Sequence, residues 1–267
     1  MLQLLVPTDF SDNSYNALFY AAHLLEDEEC TFHVLNVYAD GGQVAKDESK
    51  EGLDSIVHRL VRDVGKNQRH TFKKTGLHSN LIDGVAQYAK ENNFDLMVIG
   101  NKGHDEMKDI LFGNNAMQLV REITCCPILI VPLEIDFKKV SKMAFISNYA
   151  NPITSKNVEA LKFITGVAKC ELVPMTIEEG KEDNTASKNK ADFFTAFSNG
   201  MSKEIEMPVL QNKAKTILEF VDLWSIDMLC MVYYPHHFFL EFIGKGIIKE
   251  LNVKLDLPFL ILPQAKN

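Results

Sequence analysis

The chain has 267 residues, 46% of them hydrophobic, a formal net charge of −8 and five cysteines. That length suits two ordinary domains, each able to bury its own core. The acidic balance argues against nucleic acid and against an anionic membrane surface as the main partner. An odd number of cysteines, mostly in apolar stretches, reads as reduced thiols with no disulfide framework. Leu2–Val6 is too short for a signal core, and no apolar run is long enough to span a bilayer, so a cytoplasmic location is expected.

The first half alternates strand and helix. Residues 2–8 form a short apolar run predicted as a buried strand. A helix follows from about 12 to 25, with Ser11 as N-cap and Ala17, Leu18, Ala21, Leu24 and Leu25 on one face. Residues 31–38 read as the second strand. The polar, glycine-bearing stretch 40–52 reads as a mobile loop, and 53–64 as an amphipathic helix. A weak edge strand is predicted at 70–75 and a helix at 82–92. Residues 96–99 are uninterruptedly apolar, as in a parallel strand buried on both faces. A last helix near 114–123 leads into a strand at 128–131.

The second half repeats this order. Strands are expected at 143–147, 170–175, 204–207, 227–232 and 259–262, with helices covering 158–167, 191–197 and 214–223. Residues 178–190 are charged and read as loop or disorder. The repeat shows in the letters themselves: Asp95 and Asp227 each open a buried strand, at an offset of 227 − 95 = 132. Pro127–Pro132 (PILIVP) returns as Pro258–Pro263 (PFLILP), at 258 − 127 = 131. So long a period makes each copy a whole domain. The expected domains are residues 1–133 and 140–264. Each is an α/β, doubly wound, five-stranded and mostly parallel sheet with helices on both faces, Rossmann-like in type.

One stretch carries chemistry. Ile99-Gly100-Asn101-Lys102-Gly103 ends a buried strand. Nine residues separate Gly103 from Gly113, which is followed by Asn114 and Asn115 at the start of a helix. Glycine at a strand end admits close backbone approach to an anion, and a helix N-terminus offers free N–H groups. Lys102 adds a charge. The spacing alone leaves a purely structural role for these glycines open. No P-loop and no G-x-G-x-x-G fingerprint is present.

Strand, G-x2-G-x9-G, helix and a Cys-Pro turn into the last strand resemble the universal stress protein family. Val6-Pro7-Thr8-Asp9-Phe10-Ser11 is similar to that family's first strand and turn. The resemblance spans the chain as two tandem copies, clear in 1–133 and faint in 140–264, and implies an adenine nucleotide alpha hydrolase-like fold. It implies further that Asp9, with Pro7 and Thr8 beside it, faces the adenine or ribose. Val37 would contact adenine; Ile99, Gly100, Lys102 and Gly103 would line the ribose and phosphates. Gly113 and the residue after it would hold the phosphates. The family's ATP binders carry Ser or Thr there; this chain has Asn114, then Asn115. It also implies a pseudo-dimer inside the chain with residues 128–131 and 259–262 near each other, and leaves a homodimer open.

The second copy departs further. Asn148 stands for Asp9 and Val232 for Gly100, and Tyr233-Tyr234-Pro235-His236-His237 replaces the phosphate loop's first half. Pro235 has no N–H to donate. Gly244 and Gly246 are read as packing or turn residues, and Phe238, Phe239 and Phe242 as core or interface. His236-His237 lack an acidic or Cys partner at metal-ligand spacing. His104-Asp105-Glu106 reads as a solvated loop, with a metal on the phosphates meeting Asp105 or Glu106 as the alternative. No catalytic constellation and no metal site is expected, and nothing beside Cys125-Cys126 marks a lowered thiol pKa. The functional expectation is a stress-response regulator that binds ATP or AMP, with Mg²⁺ as a companion ion, in the first domain and acts on an unidentified protein partner. A scaffold without nucleotide and a slow ATPase are the alternatives.

Overall fold

The computed structural model describes residues 1–102, 112–133, 135–178, 184–197, 201–208, 213–234 and 257–264. It divides into two compact units, Met1–Phe137 and Lys138–Asn267. The first contains β1 (Leu2–Pro7), α1 (Asp12–Leu24), β2 (Cys30–Tyr38), α2 (Gln43–Val64), β3 (His70–His78), α3 (Leu81–Glu91), β4 (Leu96–Gly100), α4 (Asn114–Glu122) and β5 (Ile128–Val131). Its strands are parallel in the order β3-β2-β1-β4-β5. Leu4–Val6 and Leu96–Ile99 are buried, as central strands covered on both faces must be, and Ile128–Val131 is buried as well. At the edge, β3 mixes half-buried and exposed positions. Helix α1 packs with α2, and α3 with α4.

The second unit contains β6 (Lys142–Ser147), α5 (Ser155–Ala168), β7 (Glu171–Glu178), α6 (Asn184–Ala196), β8 (Ile205–Pro208), α7 (Lys213–Trp224), β9 (Met228–Val232) and β10 (Phe259–Leu262). Its order is β8-β7-β6-β9-β10, again all parallel. Among the described residues no helix is long and apolar enough to cross a membrane.

Two sequence expectations are corrected. Most of the expected loop 40–52 is the first half of α2, which starts at the N-cap Gly42 and runs through Gly52. Glycine weakens a helix by about 1 kcal/mol against alanine. Here tertiary packing overrides that cost, because the Phe10 ring lies on Gly52; a Cβ there would come within 2.5 Å of the ring. Likewise residues 184–190 are helical. Lys190 sits 2.8 Å from both Glu204 and Glu206, Asn189 donates to the Tyr149 carbonyl at 2.9 Å, and Phe193 is buried.

The repeat extends to individual bonds. Asp95 Oδ2 accepts the Gln3 N–H at 2.8 Å while the Asp95 N–H donates to the Gln3 carbonyl at 2.9 Å. Asp227 does the same to Lys142, at 3.1 and 3.0 Å, and also accepts from Ser141 N–H at 2.9 Å. Met97 N–H donates to the Pro127 carbonyl at 2.9 Å, and Leu229 N–H to that of Pro258 at 3.0 Å. The aspartate after α3, and again after α7, is therefore a clamp between the foot of one strand and the start of the strand it must find.

Burial pushes the Asp227 carboxyl up, but Lys138 at 2.8 Å and the two backbone N–H groups outweigh it and hold it below the ordinary value. Its stabilising contribution is complete above the ordinary carboxylate pKa and disappears as pH falls through the depressed one. Asp227→Ala leaves two backbone donors without their acceptor, and should cost about 1–3 kcal/mol in urea unfolding at neutral pH. The gap between wild type and variant should close in acid. A gap independent of pH would show that the ionised carboxylate is not what matters.

Candidate functional site

In the first unit the chain builds β2 and β3 on one side of β1, then crosses to place β4 and β5 on the other. The strand order reverses between β1 and β4, and loops leaving their C-terminal ends diverge there to form a crevice. The turn after β1 is held by its own side chains. Thr8 Oγ1 accepts the Phe10 N–H at 3.0 Å and lies 3.0 Å from Ser14 Oγ. Asp9 Oδ1 accepts from Ser11 N–H at 3.1 Å and Ser11 Oγ–H at 2.6 Å. Phe10 takes a left-handed conformation, φ 65°. The Thr8 carbonyl accepts from buried Asn36 Nδ2 at 2.8 Å, fixing the turn against β2.

Across the crevice, Asn101 N–H donates to the Val131 carbonyl at 3.1 Å, and the Asn101 carbonyl accepts the Gly113 N–H at 2.6 Å. That bond brings the start of α4 to the tip of β4. Gly113 is the N-cap of α4 and supplies no side-chain cap; Asn114 and Asn115 are exposed in its first turn. From α1, buried Asn13 reaches over and donates Nδ2–H to the Lys102 carbonyl. Its amide lies on Gly100, where a Cβ would sit 2.6 Å from Nδ2 and 2.9 Å from Oδ1. The immediate steric reason for glycine at position 100 is thus the Asn13 amide, a contact that no spacing rule in the sequence displays.

The structure therefore brings Pro7, Thr8, Asp9, Ile99, Gly100, Lys102 and Gly113 to one sheet edge. Val37 extends that edge on β2, opposite Leu77, two residues beyond the Leu35 that faces Pro7. Gly103 and His104–Glu106 lie outside the described residues, as do Pro235–His237, Phe238, Phe239, Phe242, Gly244 and Gly246. Sequence reasoning missed Asn13 and Asn36. The available signal was a short polar side chain inside an otherwise apolar helix face or strand.

The matching edge of the second unit keeps the turn and loses the room. Ser147 Oγ accepts the Tyr149 N–H at 3.0 Å, Asn148 Oδ1 accepts the Ala150 N–H at 3.1 Å, and Tyr149 is left-handed at φ 54°. Phe10 is 36% exposed, whereas Tyr149 is 1% exposed and packs against Phe145 and Phe193. Val232 replaces Gly100. Beyond it the Tyr234 hydroxyl donates to the Pro152 carbonyl at 3.3 Å, spanning from the tip of β9 to the loop before α5.

All five thiols are unpaired, and only Cys125 is exposed. Contrary to the sequence expectation, its thiol is held below the ordinary value, chiefly by a hydrogen bond from Cys126.

Residues 1–132 match the model of the universal stress protein family. The N-terminal unit thus carries a universal stress protein domain. A universal stress protein of Methanocaldococcus jannaschii is 25% identical over 48% of this chain and 81% of its own length. One from Bacillus subtilis is 25% identical over 48% of this chain and 97% of its own. The fold of a universal stress protein from Archaeoglobus fulgidus matches 98% of this chain and 96% of that one, with TM-score 0.67 at 16% identity.

The Asn13–Gly100 contact is open to a double-mutant cycle. Gly100→Ala should destabilise the protein by about 1–3 kcal/mol through overpacking. Combined with Asn13→Ala most of that loss should disappear, a coupling of about 1 kcal/mol or more in chemical denaturation. Additive effects would mean that the two residues do not share that space.

Proposed function

We propose that the N-terminal unit binds an adenine nucleotide, ATP or AMP, in the crevice between β1 and β4, and that occupancy signals to a protein partner in a cytoplasmic stress response. One observation carries the reading. At the point where strand order reverses, the Asn101 and Lys102 carbonyls are engaged by Gly113 N–H and Asn13, and the N-cap of α4 is Gly113, which has no side chain to cap it. An edge whose acceptors are occupied beside a helix N-terminus favours an anion. In this reading Asp9, Pro7, Thr8 and Val37 face the base and ribose, Ile99, Gly100 and Gly103 line the ribose and phosphates, and Lys102, Asn114 and Asn115 hold the phosphates, with Gly113, whose N–H is taken by the Asn101 carbonyl, allowing their close approach to the helix start. The Asn114 amide donates where relatives of the nucleotide-binding type have a hydroxyl. Mg²⁺ would enter with the phosphates of ATP.

Backbone donors and one lysine hold phosphates without supplying a base or a transition-state cation, so the site suits retention over turnover. In the second unit Tyr149 and Tyr234 occupy the corresponding edge, which argues against a nucleotide there.

Freshly purified protein, denatured and analysed by chromatography and mass, should release about one adenine nucleotide per chain, and calorimetric titration of emptied protein with ATP should give one site with Kd below about 1 mM. Gly113→Val should abolish both signals while the fold persists. Wild-type protein with no nucleotide and no heat at millimolar ATP would remove the nucleotide reading and leave the scaffold.

A further inference from the structure

We infer that Asn13 is a positioning residue for the phosphate side of this crevice: by holding the Lys102 carbonyl against α1 it withdraws a backbone acceptor from the path of phosphate oxygens. The inference rests on the nucleotide reading above. Burying an asparagine amide is unfavourable unless both ends are bonded. Asn13 is 4% exposed in the first turn of α1, yet only one end is satisfied. Nδ2 donates to the Lys102 carbonyl, while buried Oδ1 has no hydrogen-bond partner among the described residues. A half-satisfied buried amide is a poor device for stability, so its use is to be sought in what it holds.

What it holds is a carbonyl one residue beyond Asn101, whose own carbonyl is taken by Gly113 N–H at 2.6 Å. Phosphate sites in proteins present donors; an unengaged carbonyl oxygen at their mouth repels the ligand. Asn13 and Gly113 together remove two such oxygens from the end of β4. The amide also rests on the bare Cα of Gly100, which couples the strand tip to the N-terminus of α1. In the second unit Val232 stands where Gly100 does, and so bulky a side chain leaves no such seat for an amide.

The test compares ATP with adenosine on the full-length protein, emptied of nucleotide, for wild type, Asn13→Ala, Asn13→Ser and Asn13→Asp. Asn13→Ala should bind ATP about 10-fold more weakly, the scale of one hydrogen bond, with adenosine affinity and thermal midpoint nearly unchanged. Asn13→Ser, which keeps a donor, should recover part of the loss. Asn13→Asp, which cannot donate when ionised and adds a negative charge, should be the weakest ATP binder. Equal losses for ATP and adenosine, or wild-type ATP affinity in Asn13→Ala, would overturn the inference and leave the nucleotide site standing. If Asn13→Ala does not fold, the order of Asn13→Ser above Asn13→Asp for ATP but not for adenosine carries the same decision. Wild-type protein that binds neither ligand would overturn the nucleotide reading itself.

Discussion

Everything at the functional edge depends on β4 finding β1 rather than β3, the strand before it in sequence, and the Asp95 carboxylate makes that pairing specific. The carboxylate accepts the Gln3 N–H while the Asp95 N–H donates to the Gln3 carbonyl. The pair fixes the foot of β4 beside the foot of β1, in register with Leu4↔Leu96. Parallel strands slipped by one residue would turn every side chain to the other face. With the feet fixed, the tips of β1 and β4 end together, and the crevice opens where their chains part.

The two units show how a shared backbone supports different sites. Both keep the clamp, and both keep a turn in which a hydroxyl and an Asx side chain bond the next residues around a left-handed aromatic. A non-glycine residue there is uncommon, and its recurrence marks the turn as inherited by both copies. The copies diverge in where that aromatic goes. Phe10 lies outward on Gly52 of α2; Tyr149 enters a stack with Phe145 and Phe193. The same position therefore leaves the edge open in one unit and fills it in the other.

Legibility followed the range of the interaction. Leu96–Ile99 and Ile128–Val131 were plain because an uninterrupted apolar run has few places to go in an α/β protein. Ser11 was plain because an N-cap bonds three residues ahead, to Ser14. Residues 43–52 misled because local propensity sees Gly52 and cannot see the Phe10 ring beside it. Residues 184–190 misled in the same way: their charge reads as solvation until Glu204 and Glu206 are found next to Lys190. At the site itself, Gly100, Lys102 and Gly113 stood out by spacing, whereas Asn13, distant in sequence, did not.

The sequence by itself determined the alternation of strand and helix, the duplication, and which copy retains glycines at the strand tip and helix start. Those depend on periodicity and on residue types whose backbone preferences act locally. Tertiary structure alone decided which polar side chains stand opposite which backbone atoms: Asn13 at Lys102, Asn36 at Thr8, Tyr234 at Pro152. Such contacts join residues far apart in the chain, and a hydrogen bond exists only within a few tenths of an ångström of its proper length. No pattern along one dimension carries that information, because it is created when the sheet brings its strand ends together.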